Sequence, residues 1–572
     1  MNHISVVSDI DNAVRAHPEC DAIATANGVI SYRRFGEQVS DFIAQLESST
    51  APGEFIGIEA TRTPGSIVAM VGALKAGRPF LFIDPRDSAS YSVKINMLGI
   101  ATLARTPARS DAPVLGEVPA QWRGAAEDRI RPPWKQPFAA SDRIGYAIYT
   151  SGSTGEPKCV LVRVDPLGRV IRDHAERLAL DTTSRTLQFA RLTFDGCITE
   201  ILWTLTSGAC LVVLDEEHLG PGPALQNTLE RFHVTHVKTT PFALTATAPT
   251  RAMSLRHVIN GGGACRQAVV RKWSSVAAFH NAYGTTETTI CNFLSGALDP
   301  DDCADSVPLG ELVGEGGYQL APLPEAAEAT PIGSAGTRGE LVMTGDCVAL
   351  GYLAPHGTRL FVGDDGDRVY RTGDIVELRG GQIFYVERLD RQMKVRGYRL
   401  DPGEIESAAC RLSGVEEAVV TAESHEDADT SDADALVCYY LGAATPRDVR
   451  AHLERVLDSY KVPSVILQIE RMPYTRNGKV DRSALRASRR RGAPAGRDDS
   501  PADRVLGAVR RLTGTADVSL DDNFFEVGGD SASTVQLVGT LKQLGWMDVG
   551  VRDVLRAENL KALVAQLPDQ GV

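Results

Sequence analysis

The sequence predicts an α/β large domain with a β-rich closing region, then a smaller α+β domain, then an all-α domain. Three observations carry this expectation. Short apolar runs alternate with amphipathic stretches up to residue 388, the pattern of a largely parallel sheet covered by helices. Glycine and aspartate crowd the segment 333–381 between short strand-like runs, which reads as β structure closing that domain. From residue 501 onward, apolar residues recur at helical spacing.

The elements follow in order. Residues 55–58 (Phe-Ile-Gly-Ile), 80–83 (Phe-Leu-Phe-Ile), 210–214 (Cys-Leu-Val-Val-Leu) and 257–259 (His-Val-Ile) have the length and flanking turns of buried strands. Residues 64–76 and 193–208 carry helical patterns, and 339–343 and 382–386 read as strands of the closing region. The smaller domain is expected to hold a helix over 402–412 and strands at 418–421 and 436–441, with the acidic stretch 423–434 as a solvated loop. The segment 489–500, rich in Arg, Gly, Pro and Asp, is a linker by composition. Beyond it, Val505, Leu506, Val509 and Leu512 share a helix face, as do Val535, Leu537, Val538, Leu541 and Leu544, and Leu560, Leu563, Val564 and Leu567. The expected boundaries are 1–388, 389–488, the linker 489–500, and 501–572.

Composition excludes several function classes. The 572 residues are 43% hydrophobic and 23% charged, an ordinary globular balance. A net charge of −13, from 60 basic and 73 acidic side chains, argues against nucleic-acid binding despite three consecutive arginines at 489–491. No apolar run reaches membrane-spanning length, and the N-terminus lacks the basic and apolar regions of a secretory signal. Ten scattered cysteines without a C-x-x-C pair fit neither a zinc ribbon nor a disulfide scaffold. A cytoplasmic enzyme of several domains is the expectation that remains. His233 and His236 lack a second ligand cluster and read as structural histidines rather than a metal pair.

The strongest local signal is Tyr149-Thr150-Ser151-Gly152-Ser153-Thr154-Gly155-Glu156-Pro157-Lys158. A strand runs into a loop of glycines and hydroxyls that ends in a lysine. Glycines let successive N–H groups turn inward, a nest suited to polyphosphate, although the Walker spacing is absent. From this point the chain resembles the adenylate-forming superfamily, and within it the adenylation domains of nonribosomal peptide synthetases. The likeness spans almost the whole length. It rests on this loop together with Leu74-Lys75-Ala76-Gly77, Phe194-Asp195, Asn281-Ala282-Tyr283-Gly284-Thr285-Thr286-Glu287, Gly339-Glu340-Leu341, Tyr370-Arg371-Thr372-Gly373-Asp374, the stretch 388–397 and Asn477-Gly478-Lys479-Val480-Asp481-Arg482, all in the family's order.

The resemblance implies roles. Thr150, Ser151, Gly152, Ser153, Thr154, Gly155 and Lys158 would cradle the ATP phosphates, with Gly261, Gly262 and Gly284 lining the nucleotide. Tyr283 would face adenine and Asn281 its edge, while Asp374 and Arg388 would meet the ribose. Glu287 would hold Mg2+ with Thr286 beside it, because bringing a carboxylate to ATP requires charge neutralisation. Lys479 would bridge substrate carboxylate and ATP, and Asp390 would be the hinge on which the small domain turns, presenting Lys479 in one step and the loop at Arg396-Gly397 in the next. The substrate pocket would be lined by Asp195, Gly196, Thr199, Lys238, Ile259, Gly261, Ala282, Ile290 and Cys291. Asp195 would pair with an α-ammonium, and Lys238 requires an anion or strong acceptor from the substrate. That combination resembles pockets for aspartate and asparagine, and Ala282 leaves room for a 3-substituent. With Lys238 turned away, the pocket would take a small apolar or aromatic amino acid instead.

The C-terminal stretch Asp522-Asn523-Phe524-Phe525-Glu526-Val527-Gly528-Gly529-Asp530-Ser531 resembles the attachment site of peptidyl carrier proteins, which are four-helix domains. Ser531 would carry 4′-phosphopantetheine, and Phe524 and Phe525 would pin the preceding loop. The implied cofactors are therefore ATP, Mg2+ and 4′-phosphopantetheine. The implied partners are an amino acid, a phosphopantetheinyl transferase, a downstream condensation or tailoring enzyme and a small MbtH-like activator protein, with no nucleic acid and no membrane. No condensation-domain His-His and no Gly-x-Ser-x-Gly elbow occurs, so condensation and release are expected elsewhere. An acyl-CoA ligase and a non-catalytic carrier scaffold are the rival readings. Cys159, Glu387 and Asp401-Pro402 depart from the family's usual residues.

Overall fold

The structure is a computed structural model of the 572-residue chain. It describes residues 6–85, 91–107, 110–119, 122, 143–150, 158–303, 306–323, 337–354, 357–363, 365–389, 393–395, 398–423, 432–433, 435–473, 480, 482, 484–486, 500–513, 518–525, 527, 529, 531–546 and 549–567.

Residues up to Arg399 form one compact unit. Two large sheets organise it. In the nine-stranded sheet, Asp21–Thr25, Cys210–Val212, Arg185–Leu187, His236–Thr239, His257–Asn260 and Ala278–Tyr283 run parallel, and shorter antiparallel strands close both edges. The eight-stranded sheet is mixed and contains Phe80–Ile83, Ile56–Glu59 and the antiparallel pair Ile144–Thr150 and Lys158–Arg163. A four-stranded antiparallel sheet, Gly317–Ala321, Thr337–Thr344, Val369–Arg379 and Gln382–Arg388, is the closing region expected from the glycine-rich segment. The α/β class and its β-rich ending are as the sequence predicts.

Two helices show why the core holds. Pro64–Lys75 begins at Thr63, whose hydroxyl accepts from Ser66 N, with Pro64 in the first turn where its missing N–H costs nothing. Every residue from Pro64 to Leu74 is buried. Gly196–Thr206 is likewise buried from Cys197 to Leu205. A helix apolar on all sides belongs between layers rather than on a surface. Glu200 is the one charged side chain in that helix.

The second unit begins at Leu400. Its first part has helices Pro402–Cys410 and Pro446–Val456 and a sheet ordered Glu417–Glu423, Ala435–Leu441, Val465–Gln468. The Asp401-Pro402 departure has a local cause: the Asp401 carboxylate accepts from Gly403 N at 2.8 Å and caps the helix, with Pro402 in its first turn. Its C-terminal part has four helices among the described residues, Pro501–Thr513, Ser531–Gln543, Val551–Arg556 and Leu560–Gln566. Their apolar faces meet in a core that includes Val505, Val509, Phe524, Leu537, Leu541, Trp546 and Leu563. Among the described residues, no helix is long and apolar enough to cross a membrane. Most of the acidic stretch 423–434 lies outside the described residues.

Candidate functional site

Parallel strands present their C-terminal ends to a common crevice, the usual ligand position in such sheets. Here adjacent strands bring Lys238 opposite Ile259 and Asn260 opposite Asn281. Gly261 and Gly262 follow one strand, and Ala282, Tyr283 and Gly284 end the next or follow it. The chain then makes a single 3-10 turn, Thr286–Thr288, and reverses. Thr289 and Ile290 sit at φ of 63° and 77°, a region that costs non-glycine residues, above all a β-branched one. The reversal is held by Thr289 Oγ1 donating to Cys347 O and by Asn292 N donating to Tyr283 O. It packs so tightly that a Cβ on Gly284 would strike the backbone of Ile290 and Cys291. The reversal thereby places Ile290 and Cys291 against Gly284.

Lys238 does not turn away to solvent. It is 7% exposed, and its ammonium donates to Thr199 Oγ1 at 2.8 Å and Cys291 Sγ at 3.2 Å. Among the described residues, no carboxylate lies within ion-pair distance of it. Burial alone would lower its pKa, but Cys291, Glu200 and Asp195 outweigh burial and keep it charged. Gly261 makes space for its stem, since a Cβ there would come 3.1 Å from Lys238 Cε. Asp195 is half-buried at the start of the Gly196–Thr206 helix, and its Oδ2, shielded from solvent, has no hydrogen-bond partner among the described residues. Burial pushes its carboxyl up, against the Thr286 hydroxyl and Lys238, which both favour the anion.

The nucleotide residues expected from the sequence divide into two groups. Tyr283, Asp374 and Arg388 converge: Asp374 accepts the Tyr283 hydroxyl on Oδ2 and Arg388 Nη1 on Oδ1 at 2.6 Å. Gly262 adopts φ of 82°, open to glycine at no steric cost. Thr150 and Lys158 are cross-strand partners, and the Lys158 ammonium lies 5.5 Å from the Tyr352 ring centroid. Ser151, Gly152, Ser153, Thr154 and Gly155 lie outside the described residues, as do Asp390, Arg396, Gly397 and Lys479. Asn281 calls for a correction. Its carboxamide does not project toward a ligand edge but bridges the fold, accepting from Asn260 Nδ2 and donating to Pro308 O, both at 2.9 Å. Paired amides between adjacent strands satisfy groups that would otherwise be buried alone.

Arg399, Tyr352 and Glu200, which the sequence reading missed, shape this site. Glu287, 1% exposed, faces Arg399, whose Nη1 lies 3.2 and 3.0 Å from its two oxygens, and it also accepts the Tyr352 hydroxyl. Burial would raise the Glu287 pKa, but Arg399 and the tyrosines override it and hold the carboxyl low. Glu200 accepts from the N–H groups of Phe189 and Ala190 and so fixes the approach to Phe194 and Asp195. Burial pushes its carboxyl up to about 7, against Lys238, the Ala190 N–H and Arg62. A lone glutamate in an otherwise uncharged apolar helix was the signal that could have found it. Arg399 and Tyr352 had none, because charged and aromatic residues in strands read as surface.

His236 is held by its neighbours in the fold. His236 stacks on His257 with ring centroids 4.8 Å apart, and His257 on His280 at 5.2 Å. The His236 Nε2 lies 2.9 Å from Leu178 O and the His280 Nδ1 3.0 Å from Ser295 O, so both rings are structural. Among the described residues, no group of three or more metal-ligating side chains is assembled.

Ser531 opens the Ser531–Gln543 helix in the C-terminal domain. Ahead of it, Phe524 is 3% exposed in that domain's core and meets Phe525 edge-on at 5.3 Å. Gly529 N donates to Phe524 O at 2.9 Å, and a Cβ on Gly529 would collide with the Phe524 ring. The phenylalanine and the glycine thus fasten the loop that leads to Ser531.

Comparison with known proteins fits this geometry. The AMP-binding enzyme family matches residues 10–353, the AMP-binding enzyme C-terminal domain matches 404–479, and the phosphopantetheine attachment site matches 503–567. The chain is similar to novobiocin biosynthesis protein H of Streptomyces niveus, 32% identical over 94% of this chain and 91% of that protein. It is also similar to bacitracin synthase 3 of Bacillus licheniformis, 30% identical over 97% of this chain. It spans only 9% of that protein, and 7% and 22% of two further relatives. A solved holo NRPS protein containing adenylation and PCP domains, bound to a vinylsulfonamide inhibitor, superposes with a TM-score of 0.78 at 25% identity, covering 99% of this chain and 96% of that one. The cofactors these families imply are ATP with Mg2+ and 4′-phosphopantetheine. The chain belongs to the AMP-binding enzyme family and carries a phosphopantetheine-attachment domain behind it.

Proposed function

We propose that the chain is an amino-acid-adenylating ligase of nonribosomal peptide or related natural-product biosynthesis. It joins an amino acid to AMP from ATP, releases pyrophosphate, and loads the aminoacyl group on its own carrier domain. The observation that carries the reading is a pair of opposite charges in one pocket, with Lys238 buried and one Asp195 oxygen shielded from solvent. Among the described residues, Asp195 has an oxygen without a partner, and Lys238 is held ionised without a carboxylate in contact. A zwitterionic substrate with an acidic or amide side chain satisfies both, with its α-ammonium on Asp195 and its side chain on Lys238. The substrate is thus aspartate, asparagine or a 3-substituted aspartate. Gly196, Thr199, Ile259, Gly261, Ala282, Ile290 and Cys291 form the remaining walls.

The nucleotide would lie along Gly261, Gly262 and Gly284 with its base against Tyr283 and its ribose at Asp374 and Arg388. Its phosphates would run toward Thr150 and Lys158 and the loop between them. Glu287 fits Mg2+, being a buried carboxylate kept ionised, and Mg2+ neutralises phosphate charge. Lys479 would stabilise the charge that develops as pyrophosphate leaves. 4′-Phosphopantetheine on Ser531 supplies the thiol that takes the acyl group. The domain limits 1–388, 389–488 and 501–572, the hinge at Asp390 and a cytoplasmic setting belong to this reading. So do a phosphopantetheinyl transferase, a downstream condensation or tailoring enzyme and an MbtH-like protein as partners.

The test is amino-acid-dependent pyrophosphate exchange on the full chain. Lys479→Ala should abolish exchange, and Ser531→Ala should leave it intact while ending self-loading. Full exchange in Lys479→Ala refutes the assigned chemistry. Absence of exchange with every carboxylate in the wild-type chain points to a carrier scaffold, and release of acyl-CoA from free coenzyme A points to an acyl-CoA ligase.

A further inference from the structure

The carboxylate assigned to Mg2+ already has a cation on it. Arg399 Nη1 lies 3.0 Å from Glu287 Oε2 and 3.2 Å from Oε1. Tyr352 donates to Oε1, and its hydroxyl lies 3.1 Å from that of Tyr370. Glu287 is 1% exposed and the Arg399 side chain 20%. Next to Arg399, the Tyr398 ring packs on Phe194 with centroids 4.8 Å apart, one residue from Asp195. The strand Tyr398–Leu400 therefore sets a cation on Glu287 and an aromatic ring beside the ammonium-binding aspartate.

We propose that Arg399 is the resident counter-cation of Glu287, a positioning residue that must withdraw before Mg2+ can bind there. The proposal rests on the reading of Glu287 as the metal ligand. A buried carboxylate without a cation is costly, and breaking such a pair from one side leaves the other charge stranded. Arg399 removes that cost while the metal is absent. It does so by using both carboxylate oxygens. Mg2+ requires oxygens at ~2.0–2.1 Å in near-octahedral order. A guanidinium on the same face blocks that approach and repels the ion. Loading is thus an exchange of one cation for another, and the apparent metal affinity is the intrinsic one reduced by the fraction of molecules in which Arg399 has left. A purely structural arginine would contribute to stability and leave metal affinity alone.

The experiment uses the full chain, with Mn2+ as a paramagnetic probe and an ATP analogue carrying a methylene between the α- and β-phosphates. Free Mn2+ is read by electron paramagnetic resonance, independently of turnover. Arg399→Gln should lower the half-saturating Mn2+ concentration by about tenfold, because the competitor is gone. Arg399→Lys, which restores a cation, should return it toward the wild-type value. An unchanged or raised half-saturation in Arg399→Gln, with its melting transition retained, overturns the proposal. So does an Arg399→Lys variant that behaves as Arg399→Gln does. Glu287→Gln separates the two layers. If it leaves Mn2+ binding intact, the metal assignment fails. If it abolishes binding while Arg399→Gln changes nothing, only the Arg399 role fails. Should Arg399→Gln not fold, the wild-type chain answers through limited trypsin digestion. Mn2+ with the analogue should release Arg399 and speed cleavage after it, as read by mass spectrometry. No acceleration refutes the exchange.

Discussion

Replacing Lys238 with methionine tests the substrate assignment most directly. An ammonium has three N–H donors. Thr199 Oγ1 and Cys291 Sγ take two of them, which leaves one for the substrate. A substrate β-carboxylate on that donor forms a charge-assisted bond worth ~1.5–3 kcal/mol. Methionine fills the stem's space next to Gly261 and removes the donor, so kcat/KM for aspartate should fall roughly 10- to 150-fold. Asparagine's amide oxygen also accepts from the ionised ammonium but brings no charge of its own, so its loss should sit at the low end of that range, roughly 10-fold. The variant should therefore compress the gap between the two, while amino acids without a polar side chain gain relative to both. Pyrophosphate exchange with each amino acid varied at saturating Mg·ATP reads this, and a melting curve checks that the variant folds. The reasoning is refuted if the wild-type chain prefers phenylalanine or valine and Lys238→Met leaves that preference unchanged.

Two further outcomes follow from the geometry. Burial holds the His174 and His236 rings down to about 4 from an ordinary 6.5, so the folded chain keeps them neutral where the unfolded chain binds protons. Their contribution is complete above pH 6.5 and is lost as pH falls toward 4, up to about 3 kcal/mol for a fully buried ring such as His174. Glu200, raised to about 7, opposes this by taking up a proton on folding between pH 7 and 4.5, so the comparison should be with a variant. In His236→Gln the acid limb of the melting temperature should flatten, and an unchanged slope would discard the stacked histidines as its source. Gly284→Ala puts a methyl group against the Ile290 and Cys291 backbone, which cannot yield without moving the strained reversal. Binding of a non-hydrolysable ATP analogue should weaken tenfold or more, roughly the loss expected from overpacking, with modification of Ser531 by a transferase retained.

The fold was legible because its signals are local. A buried parallel strand is a short apolar run with turns at both ends, so the run at 80–83 matches the strand Phe80–Ile83 to the residue. The buried helix matches less well, starting at Gly196 rather than 193, because Thr193 to Asp195 form the approach to the helix. The Asp401-Pro402 departure looks anomalous against the family pattern and is an ordinary helix start.

The site was legible only where a residue's role follows from its own chemistry and place in the order of motifs. Thr199 and Lys238 are such residues, and their side chains hydrogen-bond, while Asp195 acts on the same ammonium through its charge. What stayed hidden was the set of contacts made across the fold. Asn281 has the amide that a nucleobase edge would want, yet its strand register puts it beside Asn260, whose amide donates to it. Arg399 follows Glu287 by more than a hundred positions in the chain, and nothing in either residue's neighbours announces that the guanidinium covers the carboxylate. Both cases have one physical origin. A buried polar group must find a partner somewhere, and the partner it finds is fixed by register and packing rather than by proximity in sequence. The charged residues most in need of explanation are then those whose partner sits where a ligand is expected, and Arg399 on Glu287 is that case.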